Sequence, residues 1–413
     1  MTAHMSQRVG LARWVAIAVF VLASVLNYLD RQLLAAVAPT IKTEFHLSNA
    51  QYGQIISAFS LVYALATPLA GLFIDSVGLR LGSVVAVTLW SLAGAATGLA
   101  QSFRALMTSR VALAIGEAAG IPSATKASAT YLEPRELGLG TASHSVGISA
   151  GSIAAPLLVA SLVPRFGWQS VFFVTGLLGF LWVPAWLFTS RRIPAAEATK
   201  AAPLQIADVL RDRRLWGAAL ANALVMTLYS LWSNWTTIYF VQERHLTVVQ
   251  ANQQVAWIPP VFATLGGFFG GWLAFRFIAK RQDALRARIR FCWFIAPLLL
   301  ITAVVPFVPS TGLAAIAMGA SLFACLAIVN NLQMIPIDLF GAGRAAFTGS
   351  VLTCSFALMQ TVMSPIIGSL VDNYGFAVVC LALSILPLIG VATMSLATKA
   401  ASPIQMHESA VVG

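Results

Sequence analysis

Long apolar runs broken by short polar connections repeat along the chain. Their lengths predict twelve membrane-crossing helices at about 13–38, 50–74, 81–100, 105–131, 138–162, 168–189, 215–241, 249–275, 290–308, 312–337, 345–371 and 376–398. Each is near the roughly 20 residues that a tilted helix needs to cross the hydrocarbon layer. The longest polar connection, Ser190 to Arg214, divides the spans six and six. The pattern predicts an all-α membrane protein with an N-terminal six-helix bundle (1–190), a polar linker (191–214) and a C-terminal six-helix bundle (215–413). The two sets echo each other: Pro156 to Gly167 closes the fifth span and Pro365 to Gly375 closes the eleventh. Equivalent places in two halves are what a duplicated transporter fold produces. The spacing of Leu204, Ile206, Val209 and Leu210 predicts a short interfacial helix in the linker.

Composition excludes a soluble domain: of 413 residues 59% are hydrophobic and only 9% charged, with a mean hydropathy of +0.83. The net charge of +11 would suit a nucleic acid, but position explains it instead. Of the 25 Lys and Arg, 18 fall on the side holding both termini, and only Lys42, Arg104, Arg165 and Arg244 fall opposite. By the positive-inside rule both termini and the linker are cytoplasmic, in a multi-pass protein of the inner (plasma) membrane with no nucleic-acid partner. The four Cys residues (Cys292, Cys325, Cys354, Cys380) lie in apolar segments without CxxC spacing, so they predict buried thiols rather than disulfides or a metal site. No removable signal peptide, P-loop, HExxH or nucleophile motif is read, so the expectation is no enzyme, no metal and no cofactor.

Asn27, Tyr28, Asp30 and Arg31 interrupt the first apolar span. An Asp or Arg near the centre of a crossing helix costs roughly 2.5–3.5 kcal/mol, so such residues face a bundle interior or a watered path. Arg110 and Glu117, seven residues apart in the fourth span, fall on nearly one helix face, about 10.5 Å apart along the axis. The first and fourth helices could thus form a site with two guanidinium groups and two titratable carboxyls. Guanidinium forks suit a carboxylate ligand, and a dehydrated carboxyl that alternates between wet and sealed states can load and release a proton. The same residues could instead form ion bridges that only fix packing, Arg31 with a carboxyl and Arg110 with Glu117. Lys126 lies on another face from Glu117, where snorkelling to the headgroups competes with a place in the path. Tyr28, Tyr63, His144, Asn234, Trp235, Asn330, Asn331 and Gln333 are further candidates for reading substrate hydroxyls. For His144 a neutral hydrogen-bonding role is expected ahead of a pH-sensing one. The glycine pairs 116/120, 147/151 and 267/271 predict close helix contacts.

Between the second and third spans lies Gly71-Leu-Phe-Ile-Asp75-Ser-Val-Gly78-Leu-Arg80, which resembles the cytoplasmic signature GxxxDRxGR of the major facilitator superfamily. Gly71 would permit close helix contact, Gly78 a positive φ, and Asp75 a contact with a helix N-terminus or a basic partner. Ser76 stands where the family has a basic residue, and the matching place in the second half, Gly270 to Arg276, lacks the acid. Asn27-Tyr-Leu-Asp-Arg-Gln32 and Arg110-Val-Ala-Leu-Ala-Ile-Gly-Glu-Ala118, followed by Pro122 and Lys126, resemble the anion:cation symporter family, especially its hexuronate-transporter branch. The resemblance implies the twelve-helix major facilitator fold and proton-coupled symport of a small organic anion, a hexuronate or related sugar acid. It implies proton coupling by Asp30 and Glu117, substrate or gate contacts by Arg31 and Arg110, and H+ as the coupling ion. The expected partners are the anion, protons and the lipid bilayer, with the monomer as the working unit. A drug/proton antiporter of the same fold and a non-transporting membrane sensor are the alternatives.

Overall fold

The structure, a computed structural model, describes residues 2–133, 135–191, 206–279, 284–341 and 344–399. Its helices are α1 (Thr2–Glu44), α2 (Asn49–Val77), α3 (Leu79–Gly98), α4 (Phe103–Glu117), α5 (Gly120–Tyr131), α6 (Leu137–Phe166), α7 (Gln169–Ser190), α8 (Ile206–Arg211), α9 (Arg213–Gln242), α10 (Val248–Gln254), α11 (Ile258–Ala279), α12 (Ala284–Ile295), α13 (Ile301–Val304), α14 (Thr311–Phe340) and α15 (Ala345–Lys399). All twelve predicted crossings are present, although among the described residues only ten helical segments are by themselves long and apolar enough to span. The fourth crossing is the pair α4 and α5, of 15 and 12 residues. The eleventh and twelfth run together as α15, which turns at Gly375.

Local sequence explains these departures from a uniform bundle. Pro122 has no N–H to give the Ala118 carbonyl, so the ladder between α4 and α5 is interrupted in the turn just after Glu117. Pro297 and Pro306 act alike in the ninth crossing, where 3-10 turns at Ala296–Leu300 and Val305–Phe307 flank α13. The echo of the fifth span in the eleventh extends to the backbone: Gly167 (φ 76, ψ 167) and Gly375 (φ 74, ψ 175) end them in the same left-handed conformation, which a side chain would strain. In the linker, residues 191 and 206–214 are described, and α8 is the short helix among them. Leu204 lies outside the described residues, whereas Val209 is fully buried.

Helices α1, α3, α4, α6 and α7 pack among themselves, as do α9, α11, α14 and α15, and α2 meets α15 across the two sets. The α2–α15 contact is closed at the outer end, as the charge bias assigns it. There the Asp372 carboxylate accepts from the Asn49 and Ala50 amides at 3.0 and 2.9 Å, so a charge sits on the N-terminus of α2. Deeper in, Ser57 donates to the Thr361 carbonyl (2.6 Å) and Ser60 to Gln360 (2.7 Å), while Asn252 donates to the Ala36 carbonyl (2.8 Å) and the Tyr52 hydroxyl to the Asn234 carbonyl (3.1 Å). Backbones touch here: a Cβ on Gly53 or Gly368 would come within 2.2 Å of the Ser364 or Asn49 carbonyl oxygen.

The predicted glycine contacts hold in part. Gly147 and Gly151 lie against α1, and Gly116 against Trp90. In α11, however, the contact is made by Gly266 and Gly270, one position before the predicted pair, because that face is turned to α14. Gly267 meets only the Asn330 amide and Gly271 nothing within 4 Å. Gly71 likewise meets no neighbour, so the expected close contact at that glycine is not formed.

Since Gly53 and Gly368 admit contact only when the outer end is shut, Gly53→Val or Gly368→Val should hold α2 and α15 apart there. Spin labels at positions 46 and 374 are expected to report a longer distance in either variant than in the parent protein. An unchanged distance would show that these glycines do not set the closure.

Candidate functional site

Arg31 in α1 and Glu117 at the end of α4 form the central ion pair. The Arg31 Nε and Nη2 both donate to Glu117 Oε2, at 3.1 and 2.9 Å. Glu117 is fully buried and its Oε1 has no hydrogen-bond partner among the described residues, while the Arg31 side chain keeps 20% of its surface exposed. Aromatic faces hold the guanidinium: its carbon lies 4.6 Å from the Tyr63 ring centre, 4.9 Å from Tyr28 and 5.2 Å from Phe59. The α4–α5 break places the acid at a helix end rather than mid-helix, a position transporter sites reuse.

Arg110 lies behind this pair and is 2% exposed. It does not bridge to Glu117 as the shared helix face suggested. Its Nη1 reaches the Asp30 carbonyl at 3.5 Å, and its guanidinium lies over the Phe59 ring at 5.2 Å. Seven residues of rise separate Arg110 and Glu117, and Arg31 from the facing helix reaches the acid first. Asp30 is 1% exposed, and neither of its carboxyl oxygens has a hydrogen-bond partner among the described residues.

A central cavity of about 410 Å³ lies where α1, α6, α9, α11, α14 and α15 converge, with Tyr28, Gln32, Asn222, Tyr229, Ser233, Asn252, Asn330 and Gln333 among its walls. Of the sequence candidates, Tyr28, Asn330 and Gln333 line it. Tyr28 joins the cavity to the ion pair, because its ring is both a wall and a face under Arg31. Gln32, Asn222, Tyr229, Ser233 and Asn252 were not singled out from the sequence. Amides and hydroxyls inside apolar spans were the available signal, and Asn222 in particular leaves its buried Oδ1 without a partner among the described residues.

Several candidates are brought elsewhere. Asn234 donates to the Ser230 carbonyl of its own helix (2.8 Å), and Trp235, fully buried, packs edge-on to Tyr52 in the outer closure, ring centres 5.2 Å apart. Asn331 ties α14 to α11 and accepts from Arg288 at 3.3 Å. Tyr63 meets Arg31 without reaching the cavity wall. Lys126 is the clearest correction: its ammonium pairs with Asp75 at 2.8 Å and donates to the Ile74 carbonyl at 3.0 Å, far from the substrate candidates. The cation missing at Ser76 is thus supplied from α5. Gly78 ends α2 with φ 90, and Arg80 offers its backbone carbonyl to the Trp186 indole at 3.1 Å. His144 lines a second cavity, with its Nδ1 3.2 Å from the Ser24 hydroxyl.

Comparison with known proteins agrees with this architecture. The profile of the Major Facilitator Superfamily matches residues 20–352. The chain is 29% identical over 405 residues to the hexuronate transporter of Escherichia coli K12, covering 92% of each, and 31% identical over 284 residues to the galacturonate transporter of Dickeya chrysanthemi, covering 64% of this chain and 82% of the relative. In fold it is similar to a bacterial homologue of the human lysosomal transporter Spinster, solved in an inward-facing, unoccupied conformation, with a TM-score of 0.80, 20% identity and coverage of 94% and 97%.

An ion pair this buried gives an unequal stability response. Arg31→Met leaves Glu117 without its partner and should destabilise the protein by about 3 kcal/mol or more, whereas the double variant Arg31→Met/Glu117→Leu should recover much of that loss. Thermal unfolding in detergent measures both. A double variant no more stable than Arg31→Met would show that the two side chains are not coupled.

Proposed function

The chain belongs to the Major Facilitator Superfamily and is a multi-pass membrane transporter, and on that premise we propose that it is a proton-coupled symporter of a hexuronate or related sugar acid. The observation that carries this reading is the Arg31–Glu117 pair at the Tyr28 wall of the central cavity. A guanidinium engaged by a single carboxylate oxygen, and partly exposed, can be taken over by the planar carboxylate of a substrate. Once Arg31 turns to the substrate, Glu117 is a fully buried acid with a weakened counter-charge, and its neutral form is favoured. Anion and proton then enter together because each relieves the cost of the other. Arg110 meets the backbone carbonyl of Asp30 and not its carboxyl, and Asp30, a second buried acid in the first span, is assigned the supporting coupling role.

The cavity suits the rest of a sugar acid. Its volume of about 410 Å³ is in the usual range of small-ligand pockets. Gln32, Asn330 and Gln333 offer amides, and Tyr229 and Ser233 hydroxyls, for a polyhydroxy ring. Curated relatives named for hexuronate and galacturonate support the same substrate class. Alternating access would be a rocking of residues 1–190 against 215–413, joined by the 191–214 linker, with both termini cytoplasmic and one chain sufficient. The outer closure at Asp372 is its outer gate in this reading, and the Asp75–Lys126 pair holds the inner end of α2 to α5 within the first set.

Proteoliposomes test it directly. D-Galacturonate or D-glucuronate uptake should rise when the outside is acidified and collapse with a protonophore. Arg31→Lys should weaken binding by roughly thirtyfold, about 2 kcal/mol, because an ammonium cannot reproduce the fork. Glu117→Gln should keep counterflow but lose gradient-driven accumulation. Uptake indifferent to pH and protonophore would leave a uniporter or another coupling ion.

A further inference from the structure

The second cavity, about 360 Å³, adjoins the central one between α1, α3, α5 and α6. Register along the helices fixes how the two are stacked. On α1, which enters from the cytoplasmic side, the second cavity is lined by Ala23, Ser24, Asn27 and Tyr28, and the central one by Tyr28, Gln32, Ala35 and Ala36. On α6, which runs the same way, the second takes Leu137, Thr141 and His144, and the central one Ser149, Ser152 and Pro156. The second cavity therefore lies on the cytoplasmic side of the first. The two share Tyr28, Ile121, Ser145 and Ile148, a ring drawn from three helices in which no member is buried. That ring is a neck rather than a packed wall.

The two spaces differ in chemistry. No Asp, Glu, Lys or Arg lines the second cavity. Hydroxyls in its wall are turned into their own helices: Ser24 donates to the Phe20 carbonyl, Thr141 to Leu137 and Ser145 to Thr141, each at 3.1 Å. The Asn27 amide nitrogen, the Trp90 indole nitrogen and His144 Nε2 lie beneath the surface. What faces the space is mainly carbon, from Ala23, Ile121, Ala124, Ala129, Leu137 and Ile148. The alanines among these stop at Cβ, and the room they leave is the cavity. Carbon-lined space holds water poorly and accepts apolar ligands, and a dry cavity of about 150 Å³ already binds benzene.

We infer that the second cavity receives the aglycone of a uronic acid glycoside, so that the substrate class extends from free sugar acids to aryl glucuronides. The inference rests on the sugar-acid reading above and names a further substrate of the same site. In a pyranuronate the carbon bearing the carboxylate and the anomeric carbon flank the ring oxygen, and the ring hydroxyls lie on the opposite side. Tyr28 is a wall of both cavities and a face under Arg31, 4.9 Å from the guanidinium carbon. A carboxylate held by Arg31 thus brings the anomeric substituent to the Tyr28 neck and turns the hydroxyls to Gln32, Asn330 and Gln333 in the central cavity. A polar substituent in the second cavity would lose water without gaining a partner. An aromatic ring would instead bury its faces against alanine, isoleucine and leucine. Thr125, Ala129, Leu137 and Thr141 are exposed at the cytoplasmic end, so the space is open to an aglycone longer than one ring.

Titration calorimetry of the full chain in detergent tests this with D-glucuronate, methyl β-D-glucuronide and 4-nitrophenyl β-D-glucuronide. The aryl glucuronide should bind on the order of tenfold tighter than the methyl one. The matching 4-nitrophenyl β-D-glucoside, which lacks the carboxylate, should bind far more weakly than either. Ala124→Leu fills the middle of the second cavity and Ala129→Phe its exposed rim, so each should cancel the aryl advantage while D-glucuronate keeps its parental affinity. Aryl glucuronide binding no tighter than the methyl one would overturn the inference and, with D-glucuronate bound, leave the sugar-acid reading standing. An advantage that survives both substitutions would overturn it too, by placing the aglycone elsewhere, as would a glucoside that binds as tightly as the glucuronide. If Ala124→Leu does not fold, Ala129→Phe on the exposed rim decides alone. Failure of D-glucuronate, D-galacturonate and the glucuronides alike to bind would instead remove the sugar-acid reading together with the inference.

Discussion

One buried acid with one partly exposed cation governs the organisation of the site. Glu117 has no surface, and both hydrogen bonds it accepts come from Arg31. Leaving either charge alone in the membrane interior is costly, so whatever competes for Arg31 must be matched by something that neutralises Glu117. The surroundings hold that pair in place. The α4–α5 break places the acid at a helix end, Tyr28, Phe59 and Tyr63 hold the guanidinium by their faces, and Tyr28 carries its position to the cavity wall. The outer closure through Asp372, Ser57 and Tyr52 then fixes which end of the cavity is shut.

The parts of the architecture that follow from cost per residue were legible in the sequence. Twelve apolar runs, the polar interval before Arg214, and charges inside the first and fourth spans all reflect the bilayer's penalty on polar groups. The apolar runs and the charges inside the first and fourth spans are found in the fold, while most of the polar interval lies outside the described residues. Gly167 and Gly375 were legible as a pair because the backbone conformation they share strains every residue with a Cβ.

Partner choice was less legible. Periodicity put Arg110 and Glu117 on one face, yet Arg31 holds the acid, because facing helices meet at side-chain reach while residues on one helix are separated by their rise. Lys126 was readable as an intramembrane cation but not as the partner of Asp75, since that contact depends on α5 folding back across the end of α2. Asn234, Trp235 and Asn331 show the same limit: a polar or aromatic residue inside a span is marked as constrained, but only the packed neighbour tells whether it faces a cavity, a gate or a backbone carbonyl.

The central claim is that the anion takes Arg31 and a proton takes Glu117 together, so that one ion pair is split at both ends, and proton linkage measures it most directly. Titration calorimetry of D-galacturonate into detergent-solubilised protein, repeated in buffers of different ionisation enthalpy, counts the protons taken up on binding. The account predicts net proton uptake on binding in the wild-type protein, reduced in Glu117→Gln with binding retained, as reciprocal linkage requires. Binding without any buffer dependence in the wild-type protein would contradict it.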